Sequence, residues 1–488
     1  MSKREASPIV VIGAGLAGLA ASLSLARAGR PVLLVEATDA VGGCCSTTLV
    51  SGFTFNNGAL YVAVPSLLRA AFERLGLDFD AEAPLVRIER PQETRLQDGT
   101  VVRLSDVENS SVEGPKANEK TAILRDGLGG LQRRWAPVYR TLIDEVLPFE
   151  PSLLRTLSRL WRYLPRMGGH VDALIKAHFP EPALQAAVAS TLLYTGTSPD
   201  RLPATQIIGL LALLEEGFHL PRGGMGAISA ALHRALQRHS VPIRCGQRVD
   251  RIEVADGAVC GVVLAGGERI AAQCVVATCS GFALVDHLLP RDALPSRLAG
   301  KARKAPRSHR AVAIQFGCSG AELPGAFVVN HVPAMQQQGR MHVSTPGTPQ
   351  WLSYATPTCV LPELAPPGKA VIELYAPATG VASASEWTPD MTARAVGNHF
   401  TALKARHPTL AIEATRVLDP QDFARSRHLY DGALYGIAPG ATPDKFFPHR
   451  TPLRGLYLAG QTTFPGYGVP SAILSGIQAA DALARDAG

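Results

Sequence analysis

The sequence predicts an α/β fold that opens with a parallel sheet, and three features of its first 36 residues carry this prediction. Residues 8–12 (PIVVI) are a short β-branched run, with the composition of a buried strand. Residues 16–28 have the alanine and leucine content of a helix, and Gly29 is a typical stop signal. Residues 31–35 are a second apolar run. This strand–helix–strand order is typical of parallel sheets.

The composition indicates a large globular protein. The chain has 488 residues, of which 46% are hydrophobic and 18% charged, enough for a sizeable core in two to four domain-sized units. The net charge is +7, but the basic residues are scattered and form no block with interleaved aromatic residues. We therefore expect no nucleic-acid partner.

The cysteines and histidines do not have the spacing of a metal site. None of the eight cysteines falls in a CxxC pair, and the thirteen histidines show no HExxH arrangement. We expect no metal, and reduced thiols in a cytoplasmic protein. Residues 1–29 resemble a secretory signal in their basic start and apolar run, but their glycine spacing favours another interpretation.

That spacing is GxGxxG, formed by Gly13, Gly15 and Gly18 between the first strand and the first helix. Gly13 permits the tight turn, Gly15 lets the backbone approach a pyrophosphate, and Gly18 lets helix and strand pack closely. The helix begins at Leu16 and Ala17, and its positive end favours the phosphate charge. Glu36 ends the second strand, eighteen residues after Gly18, where it can accept hydrogen bonds from a ribose. Together these elements predict a dinucleotide site.

Further along the chain, alternation and helical periodicity predict the remaining elements. They are a hairpin over 87–103, a polar loop over 106–121, helices over 131–220 and 227–238, three strands over 248–277, strands over 310–376, a helix over 390–404 and a strand over 455–459.

Several segments carry a family resemblance. Gly42-Gly43 and the run GFTFNNGALYVAVPSLL after them resemble the FAD-binding start of the flavin amine-oxidase and phytoene-desaturase superfamily. Residues 221–278, 365–377, 431–439 and 455–476 resemble its desaturases, whereas 100–220 match weakly. The run GGCC followed by threonines is also similar to the retinol saturase and carotenoid isomerase branches.

The resemblance implies FAD as the cofactor, held across two domains. A Rossmann-like, glutathione-reductase-type FAD-binding domain would comprise residues 1–85, 222–290 and 425–488. An α+β substrate-binding domain would comprise 86–221 and 291–424, with a mixed sheet in 291–424 and a helical cap over about 131–221.

The resemblance also implies further cofactor-binding residues. Val249 would contact adenine through its backbone, and Gly42, Gly43, Gly58 and Ala59 would lie at the flavin end. The last wall of the flavin site would be a turn near the C-terminus, formed by Gly460, Gln461, Gly468, Val469 and Pro470.

Two features of these segments allow more than one interpretation. Gln461 is neutral where many amine oxidases of the family have an acidic residue nearby, which favours the desaturase branch. The adjacent Cys44 and Cys45 allow a redox role. We prefer the interpretation that they are small residues lining a tight turn, because a disulfide between neighbouring cysteines is strained.

The sequence contains no Ser/His/Asp or paired-carboxylate motif, so the catalytic residues stay unassigned. Flavin carries the difficult step in such enzymes. The leading hypothesis is therefore FAD-dependent dehydrogenation of C–C bonds in an apolar isoprenoid or polyene. There are three alternatives. The first is isomerisation or saturation of a polyene, and the second is oxidation of an amine or another small molecule. The third is non-catalytic lipid binding like that of the Rab GDP-dissociation inhibitors.

Residues 153–179 combine leucine, tryptophan and tyrosine with Arg155, Arg159, Arg162 and Arg166. Such a segment can dock peripherally on an anionic membrane, or can be a surface helix with its apolar face on the core. No apolar run reaches about 18 residues, so no membrane-spanning helix is expected. The sequence does not determine the oligomeric state.

Overall fold

The structure is a computed structural model that describes residues 7–320, 322–332 and 352–487. The strands of these residues are β1 (Ile9–Ile12), β2 (Val32–Val35), β3 (Thr47–Val50), β4 (Phe53–Asn56), β5 (Leu85–Arg87), β6 (Gln92–Leu96), β7 (Val101–Leu104), β8 (Ser111–Glu113), β9 (His219–Pro221), β10 (Ile243–Arg244), β11 (Val249–Ala255), β12 (Ala258–Leu264), β13 (Arg269–Ala271), β14 (Val275–Ala277), β15 (Ala311–Ser319), β16 (Val328–Val332), β17 (Leu352–Ala355), β18 (Ala370–Pro377), β19 (Ala411–Leu418) and β20 (Leu456–Leu458).

Short 3₁₀ and π turns supplement the α-helices. The α-helices are α1 (Leu16–Arg27), α2 (Pro65–Arg74), α3 (Phe79–Glu82), α4 (Ala117–Arg140), α5 (Leu153–Leu160), α6 (Leu164–Met167), α7 (Val171–His178), α8 (Pro182–Ser190), α9 (Ile208–Glu215), α10 (Gly226–Arg238), α11 (Gly281–Ala283), α12 (Ser296–Lys304), α13 (Pro389–Arg406), α14 (Pro420–Ser426) and α15 (Val469–Ala487).

A parallel sheet of order β10-β2-β1-β14-β20 forms the centre of the nucleotide-binding half. Ile9 pairs with Val32, and Val10 with Val275, so β1 lies between a strand from the first third of the chain and one from the middle third. All residues of β1, β2 and β14 are buried, as expected for a sheet covered on both faces. The predicted α/β class with a Rossmann-like parallel sheet is confirmed.

A second sheet, of order β19-β15-β18-β17-β16-β6-β7-β8, is antiparallel except where β16 pairs with β6. Strands β6 to β8 join it from the N-terminal half, beyond the 291–424 range in which we expected this sheet. The loop predicted for 106–121 is wrong. Its apolar Val112 pairs with Val102 and makes β8 a third strand of the predicted hairpin, and α4 begins at residue 117.

The sequence predicts three strands over 248–277, whereas the structure has four, and they belong to two sheets. Strands β11, β12 and β13 form an antiparallel meander, whereas β14 pairs in parallel with β1 and β20. The reason lies in the pattern of β14: its three residues are all buried rather than alternating, which suits the interior of a parallel sheet.

Helices α4 to α9 form a layer beside the second sheet, in the region predicted to be helical. Helix α4 includes Pro137 and continues as a π turn at Thr141–Val146. Helix α5 is different, because Leu160 is its only buried residue. Most apolar side chains of α5 therefore face outward, whereas α7 in the same predicted segment packs Val171 and Ile175 on the core, so the core-facing alternative holds for α7 and not for α5.

A buried polar cluster joins the β3–β4 hairpin to the second sheet. The Glu373 carboxylate accepts hydrogen bonds from the backbone N of Asn56 (2.7 Å), Nδ2 of Asn56 (2.9 Å) and Nε2 of Gln315 (3.0 Å). Burial raises the pKa of Glu373 to about 7, although all three donors favour its charged form. The cluster fixes the chain that follows the cysteine pair against the sheet.

Candidate cofactor site and tyrosine cleft

The turn between β1 and α1 is shaped by its glycines. Gly13 has a φ of +96°, which residues with a side chain rarely adopt. A Cβ on Gly18 would lie 1.8 Å from the carbonyl oxygen of Gly13, so strand and helix can approach only without that atom. A Cβ on Gly15 would meet no atom within 4 Å. The turn therefore borders open space at Gly15, the position predicted to face the pyrophosphate.

The start of α1 offers free backbone donors at this space. Its first turn is closed by a hydrogen bond from the N of Leu19 to the O of Gly15 (3.0 Å). The amides of Leu16, Ala17 and Gly18 consequently have no acceptor within the helix. No acidic residue lies in the first turn. These donors and the positive end of the helix dipole make the turn suitable for an anion.

Glu36 lies beside the glycine turn, at the end of β2. Its Oε2 accepts a hydrogen bond from the N of Ala14 (2.6 Å), and its Oε1 accepts from the N and Oγ1 of Thr38 (both 2.8 Å). The carboxylate is thus fixed in orientation, and Oε2, which accepts one hydrogen bond, keeps capacity for a further donor. Glu36 remains available for a ribose hydroxyl.

Gly42 and Gly43 contact the same turn. The N of Gly42 donates to the O of Ala14 (2.8 Å), and a Cβ on Gly43 would lie 3.3 Å from the Cα of Gly15. Gly58 and Ala59 lie next to Cys44, the residue after Gly43, because the N of Ala59 donates a hydrogen bond to the carbonyl oxygen of Cys44 (3.1 Å). The structure therefore brings the first glycine turn and the two later glycine segments together.

The other predicted residues of this half lie at the Glu36 end. Val249 is buried at the start of β11. Two residues before it, the N of Gln247 donates to the backbone O of Glu36 (2.8 Å). The side-chain Oε1 of Gln247 is buried without a hydrogen-bond partner in the described part of the chain. This end has both a fixed carboxylate and an unused acceptor.

The C-terminal turn meets the first glycine turn through Thr278. The hydroxyl of Thr278 donates to the backbone O of Ile12 (2.8 Å), and a Cβ on Gly13 would lie 2.7 Å from its Oγ1. A Cβ on Gly460 would lie 3.0 Å from the backbone O of Thr278. Sequence reasoning missed Thr278, although it ends the apolar run that forms β14.

Helix α15 begins at Val469, with Pro470 as its second residue. A Cβ on Gly468 would meet no atom within 4 Å, so the start of α15 also borders open space. Gly476 then brings α15 against α1, since a Cβ there would lie 2.1 Å from the backbone O of Ala17. Two helices thus begin near the same groove.

Four tyrosines from separate segments form what we call the tyrosine cleft, and sequence reasoning missed all of them. The rings of Tyr435 and Tyr467 lie 4.5 Å apart between centroids, and that of Tyr194 lies 6.5 Å from that of Tyr435. Tyr61 packs on Phe218 with a centroid distance of 4.3 Å and is electrostatically coupled to the others.

Each of the four tyrosines is half-buried. Burial raises the pKa of each phenol, to about 12 for Tyr194. Tyr61 and Tyr194 pack against the main hydrophobic core, and all four rings keep some exposed surface. The cleft adjoins the C-terminal turn, because Tyr467 lies between Gly466 and Gly468. On the other side, a Cβ on Gly436 would lie 3.2 Å from Cγ of Gln461.

The thiols of Cys44 and Cys45 have low reactivity. Burial raises the pKa of Cys44 to about 11 and raises that of Cys45 further. Both are free thiols, and the Sγ of Cys45 donates to the backbone O of Met225 (3.3 Å). The thiolate needed for redox chemistry is therefore strongly disfavoured.

Taken together, the residues fit FAD. The free amides of α1 suit a diphosphate, Glu36 and Gln247 offer acceptors to a nucleoside, and the open positions at Gly15 and Gly468 leave room between the two helix starts. Across the described ranges, no group of three or more His, Cys, Asp or Glu side chains is arranged to hold a metal ion.

Comparisons with known proteins agree with this geometry. The model of the flavin containing amine oxidoreductase family matches residues 16–484. The chain is 29% identical to phytoene dehydrogenase of Streptomyces griseus, over 97% of this chain and 94% of that protein. It is 28% identical to hydroxyneurosporene desaturase of Rhodobacter capsulatus, over 99% of each.

Among solved structures, wild-type putrescine oxidase bound to putrescine has a TM-score of 0.64 at 16% identity, covering 99% of this chain and all of that one. This likeness shows the fold. With the family match over nearly the whole chain, the cofactor is FAD. The chain belongs to the flavin-containing amine oxidoreductase family and is an FAD-dependent oxidoreductase similar to carotenoid desaturases.

Proposed function

We propose that this protein dehydrogenates C–C bonds of an apolar isoprenoid or polyene. One carbon would lose a hydride to N5 of FAD and its neighbour a proton, so that a double bond forms, and oxygen or a quinone would accept the electrons afterwards. Two of its relatives are named for phytoene and hydroxyneurosporene, which supports this substrate class.

The observation that carries the proposal is the neutrality of the tyrosine cleft. Tyrosine is uncharged at physiological pH, and burial raises the phenol pKa of all four still further. His309, whose ring lies 5.5 Å from that of Tyr435, is also neutral, because burial lowers its pKa to about 4. No carboxylate contributes to the pKa shifts of these tyrosines, so these shifts give no sign of an ion-pair partner for an ammonium group. A neutral aromatic lining suits an apolar chain.

Substrate reduction of the flavin tests the proposal. Under anaerobic conditions, phytoene supplied in vesicles should bleach the flavin absorbance and yield a product with a longer conjugated system. Putrescine, tested in parallel, should leave the absorbance unchanged. Bleaching by putrescine but not by phytoene would refute the proposal in favour of amine oxidation. A rearranged polyene formed with persistently oxidised flavin would indicate isomerisation.

We also propose that the protein takes this substrate from an anionic membrane. Residues 149–164 present an exposed apolar surface, which we call the leucine face. Its members are Phe149, Leu153, Leu154, Leu157, Trp161 and Leu164, with Leu153 and Leu154 75% and 81% exposed. An outward apolar face of this kind is unusual on a soluble surface and typical of an interfacial helix.

Positive charge accompanies the leucine face. Arg155, Arg159, Arg162 and Arg166 are all exposed within it. The guanidinium of Arg155 lies 4.5 Å from the ring centre of Phe149, and that of Arg162 lies 5.5 Å from the ring of Trp161. Basic and apolar groups side by side favour an anionic bilayer. Arg159 pairs with Glu145 (3.1 Å), whereas Arg155 and Arg162 would each add about 1 kcal/mol to binding. Among the helices that the structure describes, none is long and apolar enough to cross a membrane.

Vesicle co-sedimentation tests this docking. The double variant Leu153→Asp/Leu154→Asp should bind vesicles of phosphatidylserine and phosphatidylcholine at least about 100-fold more weakly, since each leucine contributes about 1.5 kcal/mol or more when buried. Leu49→Asp is the matched control, because Leu49 is 70% exposed but lies on β3. Equal loss in both variants, or no pelleting of the unmodified protein at low salt, would refute the docking proposal.

A further inference from the structure

Arg416, on β19, is bonded to two buried amide side chains. Its Nη1 donates to Oε1 of Gln315 (2.5 Å), and its Nη2 donates to Oδ1 of Asn57 (2.6 Å). Gln315 is fully buried and Asn57 nearly so. A guanidinium has donors only, so the oxygen of each amide must face it. Arg416 therefore fixes which end of the Asn57 amide points away from it.

That other end begins a one-way series of hydrogen bonds, which we call the Arg416 relay. Nδ2 of Asn57 donates to Oγ of Ser46 (2.7 Å), and the Ser46 hydroxyl donates to the backbone O of Gly43 (2.7 Å). A carbonyl can only accept and a hydroxyl has a single proton, so every donor of the relay is directed toward Gly43. The relay thus carries the orientation imposed by Arg416 to the glycine pair at the cofactor groove.

The relay ends on the peptide bond between Gly43 and Cys44. This bond lies at the groove, because Gly42 forms a parallel β-bridge with Gly15 of the first glycine turn. In a planar trans peptide the N–H points opposite to the C=O, so the N–H of Cys44 points away from Ser46. No residue that the structure describes accepts a hydrogen bond from this N–H. Peptide N–H groups inside proteins are almost always paired, so an acceptor from outside the chain is expected.

We propose that this peptide is held for FAD, with the Cys44 N–H donating to an oxygen of the cofactor. Arg416, Asn57 and Ser46 are then positioning residues, since they orient the peptide without touching FAD themselves. Hydrogen bonds directed the same way polarise one another, so the charged donor at the head of the relay also strengthens the N–H at its end. FAD affinity does not depend on the substrate, so this inference can fail while the proposed dehydrogenation stands, and the reverse.

The variant Asn57→Asp reverses the relay while keeping its shape. The carboxylate still accepts from Arg416, but its second oxygen replaces the donor to Ser46. The Ser46 hydroxyl should turn to the carboxylate, which is a stronger acceptor than a carbonyl, and release Gly43. A purely structural role predicts unchanged FAD affinity, because Arg416 keeps its partner. We expect apo-protein carrying Asn57→Asp to bind FAD about 5- to 10-fold more weakly, the effect of one hydrogen bond, measured by flavin fluorescence.

Ser46→Ala releases Gly43 directly and should weaken FAD binding by the same factor. The double variant excludes simple repulsion between the new carboxylate and the cofactor phosphates. In the Ser46→Ala background, Asn57→Asp should cause no further loss, because both changes act through one hydroxyl. A further loss of full size in that background would overturn the inference.

Thr48→Val is the matched control. The Thr48 hydroxyl also donates to Oδ1 of Asn57 (3.0 Å) but lies outside the relay, so this variant should bind FAD like the unmodified protein. Unchanged FAD affinity in Ser46→Ala, or an equal loss in Thr48→Val, would overturn the inference. If Asn57→Asp does not fold, the comparison of Ser46→Ala with Thr48→Val decides it alone.

Discussion

Replacing Gly476 by alanine should destabilise the protein, although alanine is the better helix former. A Cβ on Gly476 would lie 2.1 Å from the O of Ala17 and 3.0 Å from the N of Ala21. These are backbone atoms of α1, so the two helices must separate by about 1 Å to reach ordinary contact. Overpacking of this severity costs about 3 kcal/mol, and helix propensity returns about 1 kcal/mol. We expect a net loss of about 2 kcal/mol.

The matched control is Gly397→Ala, in the middle of α13, where a Cβ would meet no atom within 4 Å. This variant should gain about 1 kcal/mol, because only propensity changes. Urea unfolding followed by circular dichroism measures both, and release of flavin fluorescence should occur at lower urea in Gly476→Ala, since α1 and α15 both begin at the groove. If both variants gained stability equally, the close contact between α1 and α15 would be refuted.

Two further predictions concern the same site. Gly15→Val should leave the circular dichroism spectrum intact but abolish FAD binding, because the valine side chain would enter open space at the predicted pyrophosphate position. Gly18→Val should disrupt the fold as well, since a Cβ there would clash with the O of Gly13. Retained flavin in Gly15→Val would contradict this prediction. Because burial raises the pKa of Glu373 to about 7, the free energy of unfolding should fall by up to about 3 kcal/mol as the pH rises from about 4.5 to above 7. Glu373→Gln should lose this pH dependence, and an unchanged pH profile in that variant would assign the effect to another group.

The sign of the Glu373 effect follows from its protonation. A raised pKa means that the folded state binds the proton more tightly than the unfolded state. The stabilising contribution is therefore complete below the unfolded pKa and is lost as the pH rises through the folded value.

The sequence alone determined the α/β class and the glycine turn with Glu36, while FAD was implied by the family resemblance. These features depend on neighbours in the chain: a tight turn needs glycines at fixed spacing, and a buried parallel strand needs consecutive apolar residues. The same local logic failed at β8 and β14. Whether a short apolar run pairs depends on its partner strand, which for β8 is the neighbouring β7 and for β14 is β1, more than 260 residues away in the chain.

The tertiary structure decided what local patterns leave open. Tyr61, Tyr194, Tyr435 and Tyr467 come from four separate segments, and no spacing in the sequence relates them. The apolar residues of α5 have the same periodicity whether the helix covers the core or faces outward, so only packing shows that they are exposed.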